Sequence, residues 1–330
     1  MMLSVICEHI MTLWRIKSME KTKILLTALC LSAAACSAPQ KETAVPLNTD
    51  CESCTVSYLG PQGTYTEEAC ELFFGKKDVC TPYTTVPEAA EAMCEDKTEY
   101  AVIPQENTIG GAVIDYVDTL ISLKGVSISG EVELPISQNL LGRKDTALSD
   151  IKKVYSHKQG IAQSKQWLEQ NLPDAQVIEV SSTAEGARMV AESNEADIAA
   201  IASKGAAEVY GLEILAAAIQ NNDHNQTRFY ILSEHEPATA EAERLAFIAE
   251  GNAKDLPSLM AEMEKQKMTL VTLHDRPLKT ELGQYFYLIE CAACTYADYQ
   301  KLTENSPFTF TYLGSFNVKR PLNMNDGQKD

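Results

Sequence analysis

Basic charge is what this sequence has least of for its size: 28 lysines and arginines stand against 46 acidic residues, a formal charge of −18. Without residues 1–35, which hold four basic side chains (Arg15, Lys17, Lys21, Lys23) and two acidic ones (Glu8, Glu20), the charge becomes −20. So negative a chain repels polyanions, which excludes nucleic acid and anionic lipid surfaces as expected partners. Long apolar runs are missing too: Ile24 to Ala35 is too short to span a bilayer comfortably. Internal repeats and low-complexity blocks are absent, and with 45% apolar and 22% charged residues the chain is neither disordered nor fibrous. A recognisable zinc module is also lacking, although Cys51-Glu52-Ser53-Cys54 and Cys291-Ala292-Ala293-Cys294 have the spacing of a disulfide or half a zinc site.

What is there is enough for two or three folding units in 330 residues. From Met19 the sequence reads as a secretory signal: basic Lys21 and Lys23, the apolar run, then small residues before Cys36. Ala33-Ala34-Ala35-Cys36 resembles a bacterial lipobox, with Cys36 as the lipidated residue and residues 1–18 an upstream extension. This implies a lipid-anchored protein facing the periplasm or cell exterior; the alternative is an uncleaved leader on a cytoplasmic protein. Residues 37–54, rich in small, polar and proline residues, read as a tether.

From Thr55 onward, short β-branched or aromatic runs alternate with helical stretches, the pattern of an α/β layer structure. Strands are expected at 55–59, 100–104, 153–156, 177–180, 198–202 and 227–233. Helices are expected at 66–74, capped by Thr66 and stopped by Gly75, at 160–171 and at 183–192. These form two lobes, about 55–140 and 141–235, the last strand returning toward the first lobe. A cleft between such lobes suits a small ligand. After Pro237 the order becomes βαββαβ, a ferredoxin-like module of about eighty residues over 243–322 with a tail at 323–330.

Several short stretches carry chemistry, although each alone is equally a cap or a turn. Gly60 to Thr66 joins a strand to a helix start, whose N–H groups can hold an anion. Glu106, Asn107 and Thr108 place an acid, an amide and a hydroxyl past a strand end. Ser182 and Thr183 open another helix, and Arg228 precedes an apolar strand where it either pairs with a carboxylate or binds an acidic substrate.

Together these stretches resemble the prephenate dehydratase family over most of 55–321. The correspondence runs through Tyr58-Leu59-Gly60-Pro61-Gln62-Gly63-Thr64-Tyr65, Ile103-Pro104-Gln105-Glu106-Asn107-Thr108, Leu134-Pro135-Ile136-Ser137-Gln138-Asn139-Leu140-Leu141, Tyr155-Ser156-His157-Lys158-Gln159, Ser181-Ser182-Thr183-Ala184 and Thr227-Arg228-Phe229. The resemblance implies a catalytic domain over 55–236 built as two periplasmic-binding-protein-like (type II) lobes. The activity it implies is loss of water and carbon dioxide from prephenate to give phenylpyruvate in phenylalanine biosynthesis, with neither metal nor organic cofactor. Thr227 takes the position of the catalytic threonine and is read as a proton conduit to the leaving oxygen. Arg228, Gly63, Thr64, Ser182 and Thr183 would hold carboxylates, Glu106, Asn107 and Thr108 would order the pocket, and Phe229 would wall the ring.

The C-terminal module resembles a phenylalanine-sensing ACT domain, with Asp275, Arg276 and Pro277 in one half of the effector pocket and Ser258 and Leu259 in the other. L-Phenylalanine is therefore the expected effector, and a homodimer or homotetramer the expected assembly. Departures from the family pattern stand at Gln105, where an apolar residue is common, at Lys158, where proline is common, and at Gln138, where histidine is common. The segment before residue 55 reads as signal and tether rather than as a chorismate mutase domain, so a single activity is expected. Two alternatives remain on the same fold: arogenate dehydration, and an exported non-catalytic binding protein.

Overall fold

The computed structural model describes residues 54–75 and 79–321. The leader with Cys36, the tether as far as residue 53 and residues 322–330 lie outside them. The first lobe opens with strand β1 (Thr55–Leu59) and helix α1 (Tyr65–Phe74), capped by Thr64, whose hydroxyl accepts from the Glu67 N–H. The cap is thus two residues earlier than the expected Thr66, which is buried inside the first turn; Gly75 closes the helix at φ 103°. Strand β2 (Val79–Tyr83), α2 (Val86–Cys94), β3 (Tyr100–Asn107), the short β4 (Gly111–Ala112), α3 (Ile114–Ser122) and β5 (Ser127–Pro135) follow.

The second lobe runs through β6 (Asn139–Gly142), β7 (Lys153–Ser156), α4 (Lys158–Gln163), α5 (Lys165–Asn171), β8 (Gln176–Glu179), α6 (Thr183–Glu192), β9 (Ile198–Ala202), α7 (Lys204–Tyr210) and β10 (Glu213–Ala216). The single helix expected over 160–171 is two, broken at Ser164, whose backbone leaves the helical region at φ −110°, ψ 8°. Then β11 (Gln226–Ser233) returns to the first lobe. The third unit is β12 (Arg244–Asn252), α8 (Leu256–Lys265), β13 (Thr269–Pro277), β14 (Gln284–Ala292), α9 (Tyr296–Thr303) and β15 (Thr309–Phe316), the βαββαβ order expected, and the described chain closes with β16 (Val318–Lys319).

The first sheet has the order β16-β5-β11-β3-β1-β2, the second β10-β6-β9-β7-β8, the third β13-β14-β12-β15. β16 leaves the third unit and pairs parallel with β5, Val318 opposite Glu131, so the C-terminal module is stitched into the first sheet rather than hung from it. The sequence reading misses β4, β5, β6, β10 and β16, and also β2, whose Pro82 speaks against a strand. An edge strand tolerates a proline, and β2 is at an edge.

One face of the first sheet packs on α1 through Val56, Tyr58, Phe229 and Ile231. The other shares a core with the third sheet, where Ile103, Tyr230 and Leu232 meet Ala246, Ile248, Leu288 and Leu313. The opposite face of the third sheet is covered by α8 and α9 through Leu259, Met263, Tyr299 and Leu302. Among the described residues no helix is long and apolar enough to cross a membrane.

Close approach of β15 to β5 depends on Gly314. Its φ is +135°, and a Cβ there would lie 2.8 Å from the Ile128 carbonyl oxygen, a backbone atom with no freedom to move aside. Gly314→Ala is therefore expected to cost on the order of 2 kcal/mol. Urea unfolding checks this, and an unshifted midpoint would show that the two sheets are not packed this tightly.

Candidate active site

Strand alternation sorts the residues around Thr227 onto two faces. Thr227 stands opposite Asn107 on β3, and Arg228 opposite Glu106. Asn107 is the hub of the first face. Its amide nitrogen donates to Thr227 Oγ1 (2.9 Å), to Asn225 Oδ1 (2.8 Å) and to the Gln226 carbonyl (3.1 Å). Its carbonyl oxygen accepts from Ile109 N, Gly110 N and, across from the second lobe, Gln159 Nε2 at 3.0 Å. Thr227 is half-buried, and its oxygen is an acceptor here, so the hydroxyl proton is left to be donated outward. Asn225 is 1% exposed and its Nδ2 has no partner among the described residues.

Gln159 links the hub to the second lobe. It precedes Gly160, where a Cβ would sit 3.1 Å from Thr183 Cγ2 and 3.7 Å from Gln138 Oε1. The start of α6 is thereby brought close to the hub. Ser182 caps that helix by accepting from Glu185 N at 2.9 Å, which leaves the first-turn N–H groups and the positive end of the helix for an anion. A cavity of about 450 Å³ opens beside the hub, lined by Ile109, Gly110, His157, Gln159, Gln163 and Asn221. Gln138, in place of the expected histidine, is 2% exposed and donates to Gln163 Oε1 at 3.0 Å.

Other expected site residues are spent on the fold. Gly63 at φ +81° abuts Ala206 of α7, its N–H is taken by Glu67, and its carbonyl accepts from Ser203 Oγ at 2.9 Å. Thr64 accepts from Glu67 N as the helix cap and donates to the Leu59 carbonyl at 3.2 Å. Thr108 donates to the His224 carbonyl and accepts from Gln226 N, so it fixes the loop before β11. Phe229, read as a wall beside the ring, is 1% exposed in the core under α1.

Arg228 is the largest correction. It faces the third sheet, not the cleft, and its guanidinium is filled by carboxylates: Glu131 of β5 at 2.6 and 2.9 Å, Glu290 of β14, and Glu106 at 3.5 Å. Glu131 and Glu290 are wholly buried. Glu290 also accepts from Tyr230 Oη at 2.5 Å and from Gln105 Nε2 at 3.1 Å. Arg244 Nε lies 3.2 Å from Glu290 as an ion pair without hydrogen-bond alignment. Register shifts at the Arg228–Phe229 step, giving β3 one extra residue there, and Gln105 and Glu106 both reach the Arg228 face.

The two halves expected to form an effector pocket are also apart within one chain. Arg276 is bound to Asp118 of α3 at 2.5 and 2.9 Å, in a cavity of about 480 Å³ that it shares with Pro277, Leu278 and Phe286 and to which α8 contributes no wall. Asp275 is exposed on β13, Ser258 is exposed on α8, and Leu259 is core. Sequence reasoning missed Gln159, Asn225, Glu131 and Glu290. The last has a legible signal, an acid inside the apolar stretch Phe286 to Ala292.

Burial, and then the neighbouring Glu290, raise the Glu131 carboxyl to about 7, while Arg228 pulls the other way and Glu133 adds to the rise. A raised carboxyl favours the protonated folded state, so this contribution is whole below about pH 4.5 and is lost as pH climbs through about 7. Glu131→Gln, with Arg228 still paired to Glu290 and Glu106, is expected to flatten the fall in stability between pH 5 and 8 by about 2 kcal/mol relative to the parent. Chemical denaturation at stepped pH measures it, and parallel curves for the two proteins would refute the assignment.

The prephenate dehydratase family model matches residues 56–237. A bifunctional chorismate mutase/prephenate dehydratase of Neisseria gonorrhoeae is 36% identical over 238 residues, 72% of this chain and 66% of the relative, so the chain spans just under two thirds of that protein. A prephenate dehydratase of Lactococcus lactis is 30% identical over 270 residues, 80% of this chain and 94% of the relative. The crystal structure of a prephenate dehydratase from Arthrobacter aurescens in complex with L-Phe superposes with a TM-score of 0.72 at 29% identity, covering 80% of this chain and 90% of that one. The chain belongs to the prephenate dehydratase family.

Proposed function

We propose that this chain converts prephenate to phenylpyruvate, with Thr227 as the hydrogen-bonding conduit through which a proton reaches the departing ring hydroxyl. The observation that carries the reading is the Thr227–Asn107 hydrogen bond at 2.9 Å, which occupies the threonine oxygen as acceptor at the junction of the two lobes. A threonine hydroxyl is too weak an acid to release its proton outright, so its work is to donate a hydrogen bond where negative charge gathers. As the C–O bond breaks, the oxygen takes the bonding pair and leaves as water with a proton that solvent supplies through the Thr227 hydroxyl. The C–C bond to the ring carboxylate breaks at the same time, its electron pair enters the ring, and carbon dioxide departs. Aromatisation drives both, and the electrons balance without an external acceptor.

A dianion must be held for this, and Arg228 is already engaged by carboxylates. The anion-holding role therefore goes to the start of α6, at Ser182 and Thr183, with Asn107 and Gln159 closing the two lobes around the substrate. Arg228 acts indirectly, by fixing the register of β11 that aims Thr227.

Thr227→Ala is expected to lower kcat by about 100- to 1,000-fold with an unchanged melting temperature, and Thr227→Ser to restore most of it. Phenylpyruvate formation from prephenate, with arogenate run in parallel, measures this. Full turnover by Thr227→Ala would remove the assignment. Tight prephenate binding by the parent with no turnover would instead support a binding protein.

L-Phenylalanine as an effector belongs to the same proposal, supported by the L-Phe complex of the Arthrobacter relative and by the Asp275-Arg276-Pro277 stretch. Isothermal titration of the full chain with L-phenylalanine is expected to saturate. A flat titration would remove L-phenylalanine as the effector.

A further inference from the structure

The Cys291-Ala292-Ala293-Cys294 stretch plays no part in the lyase reading, yet its geometry is specific. Cys291 sits on β14, a central strand held by β12 and β13, opposite Leu245 and Leu270 respectively. Its side chain is wholly buried on the helix-covered face of the third sheet. The strand ends at Ala292, and Ala293 takes a left-handed conformation at φ 54°. This turn folds the chain back so that Cys294, only half-buried, meets Cys291 in a thiol–thiol hydrogen bond. The next residue, Thr295, caps α9 through a reciprocal bond with Asp298. One thiol is thus fixed in the core and the other stands at the surface of the turn, already in contact.

We infer that Cys291 and Cys294 form a thiol–disulfide exchange site for low-molecular-weight disulfides, Cys294 being the attacking sulfur and Cys291 the resolving one. In the first step the Cys294 thiolate attacks one sulfur of the incoming disulfide, forms a mixed disulfide and expels a thiolate. In the second, Cys291 gives up its proton, its sulfur attacks Cys294 sulfur, and the remaining half of the reagent leaves as a thiolate. The two protein thiols lose two electrons and the reagent gains them, one disulfide becoming two thiols.

The other free thiols among the described residues set the contrast. The hydrogen bond from Cys291 pulls the Cys294 thiol below its usual range, against the effect of burial. Cys70, which faces Cys80, is pushed well up by burial and then by that neighbour, and Cys94 is pushed up by burial and then by Glu234. Reactivity follows thiolate fraction and access. Cys294 is more accessible than the wholly buried Cys291, while Cys94 is as partly exposed as Cys294, so what sets Cys294 apart from Cys94 is its contact with Cys291. Among the described residues no group of three or more His, Cys, Asp or Glu side chains is arranged to hold a metal. Glu290, the carboxylate that pairs with Arg228, directly precedes Cys291, which places the oxidation state of the pair beside the interdomain charge cluster.

The test uses the full chain, reduced, freed of reductant and equilibrated with glutathione disulfide, then alkylated and mapped by peptide mass spectrometry. An internal Cys291–Cys294 disulfide is expected in the parent, and in Cys291→Ser a glutathione trapped on Cys294. Both residues alkylated in the parent, or a stable glutathione adduct on Cys294 with Cys291 still free, would overturn the inference. Should Cys291→Ser fail to fold, the parent alone decides through alkylation rates at pH 7. Cys294 is expected to react about tenfold faster than Cys94, and a rate equal to or below that of Cys94 would overturn it.

Discussion

The site depends on a guanidinium that never reaches it. Arg228 lies between two sheets and is bonded to carboxylates from both, Glu131 on one side and Glu290 on the other. Removing these charges from water costs several kcal/mol per ion, and their mutual attraction offsets that only when every partner is in place. The net contribution to stability is therefore small, but the penalty for any other arrangement is large. A sheet-to-sheet packing that separated Glu290 from Arg228 would strand a buried charge, so the cluster fixes how the C-terminal module sits on the first sheet. The shared apolar core, Tyr230 and Leu232 against Ala246 and Leu288, supplies the area, and the ions supply the register.

Strand alternation converts that constraint into catalysis. With Arg228 held toward the third sheet, Thr227 turns to the opposite face, where it meets Asn107 across the β3–β11 pair. Asn107 then performs two tasks with its two ends. Its nitrogen settles the threonine oxygen as an acceptor, and its carbonyl accepts from Gln159 of the second lobe. Movement of the second lobe would be felt at Gln159 and therefore at the group that orients Thr227. A cleft closing over substrate and a hydroxyl aligned to donate are in this arrangement one event rather than two.

Many of the elements can be read from the sequence because their signals are local: β7, β9 and α6 fall on the residues where alternation and helix caps place them. What escaped was decided at a distance. β16 has only two residues and is a strand because β5 offers an unpaired edge, and β2 survives its proline because it is itself an edge. Thr227 stood out by its motif, yet the role given to Arg228 was that of its neighbour in sequence, not in space. The motif shows an arginine after a threonine; only the partners Glu131 and Glu290, 97 and 62 residues away, show which face it serves. The same holds for Phe229, expected beside the ring, for Thr64, expected to hold a carboxylate, and for Thr108, expected in the pocket: they are committed to core, cap and loop respectively.

Gln105 shows how one of the departures from the family pattern acquires a cause. Where an apolar residue is common, an amide here donates to Tyr230 Oη at 2.7 Å and to Glu290 at 3.1 Å, with no exposure to water. An apolar side chain at 105 would leave Glu290 with one donor fewer in a dry interface, which costs about 1–3 kcal/mol for a buried charged group. Gln105 and Glu290 therefore form a set, and the bulge in β3 is what lets Gln105 share a face with Glu106. Because the bulge breaks the alternation, Gln105 and Asn107, two residues apart, serve opposite faces, and β3 carries the interdomain cluster on one face and the Thr227 hub on the other. Change in the C-terminal module has its shortest route to the cleft through the backbone of that strand and of β11 beside it.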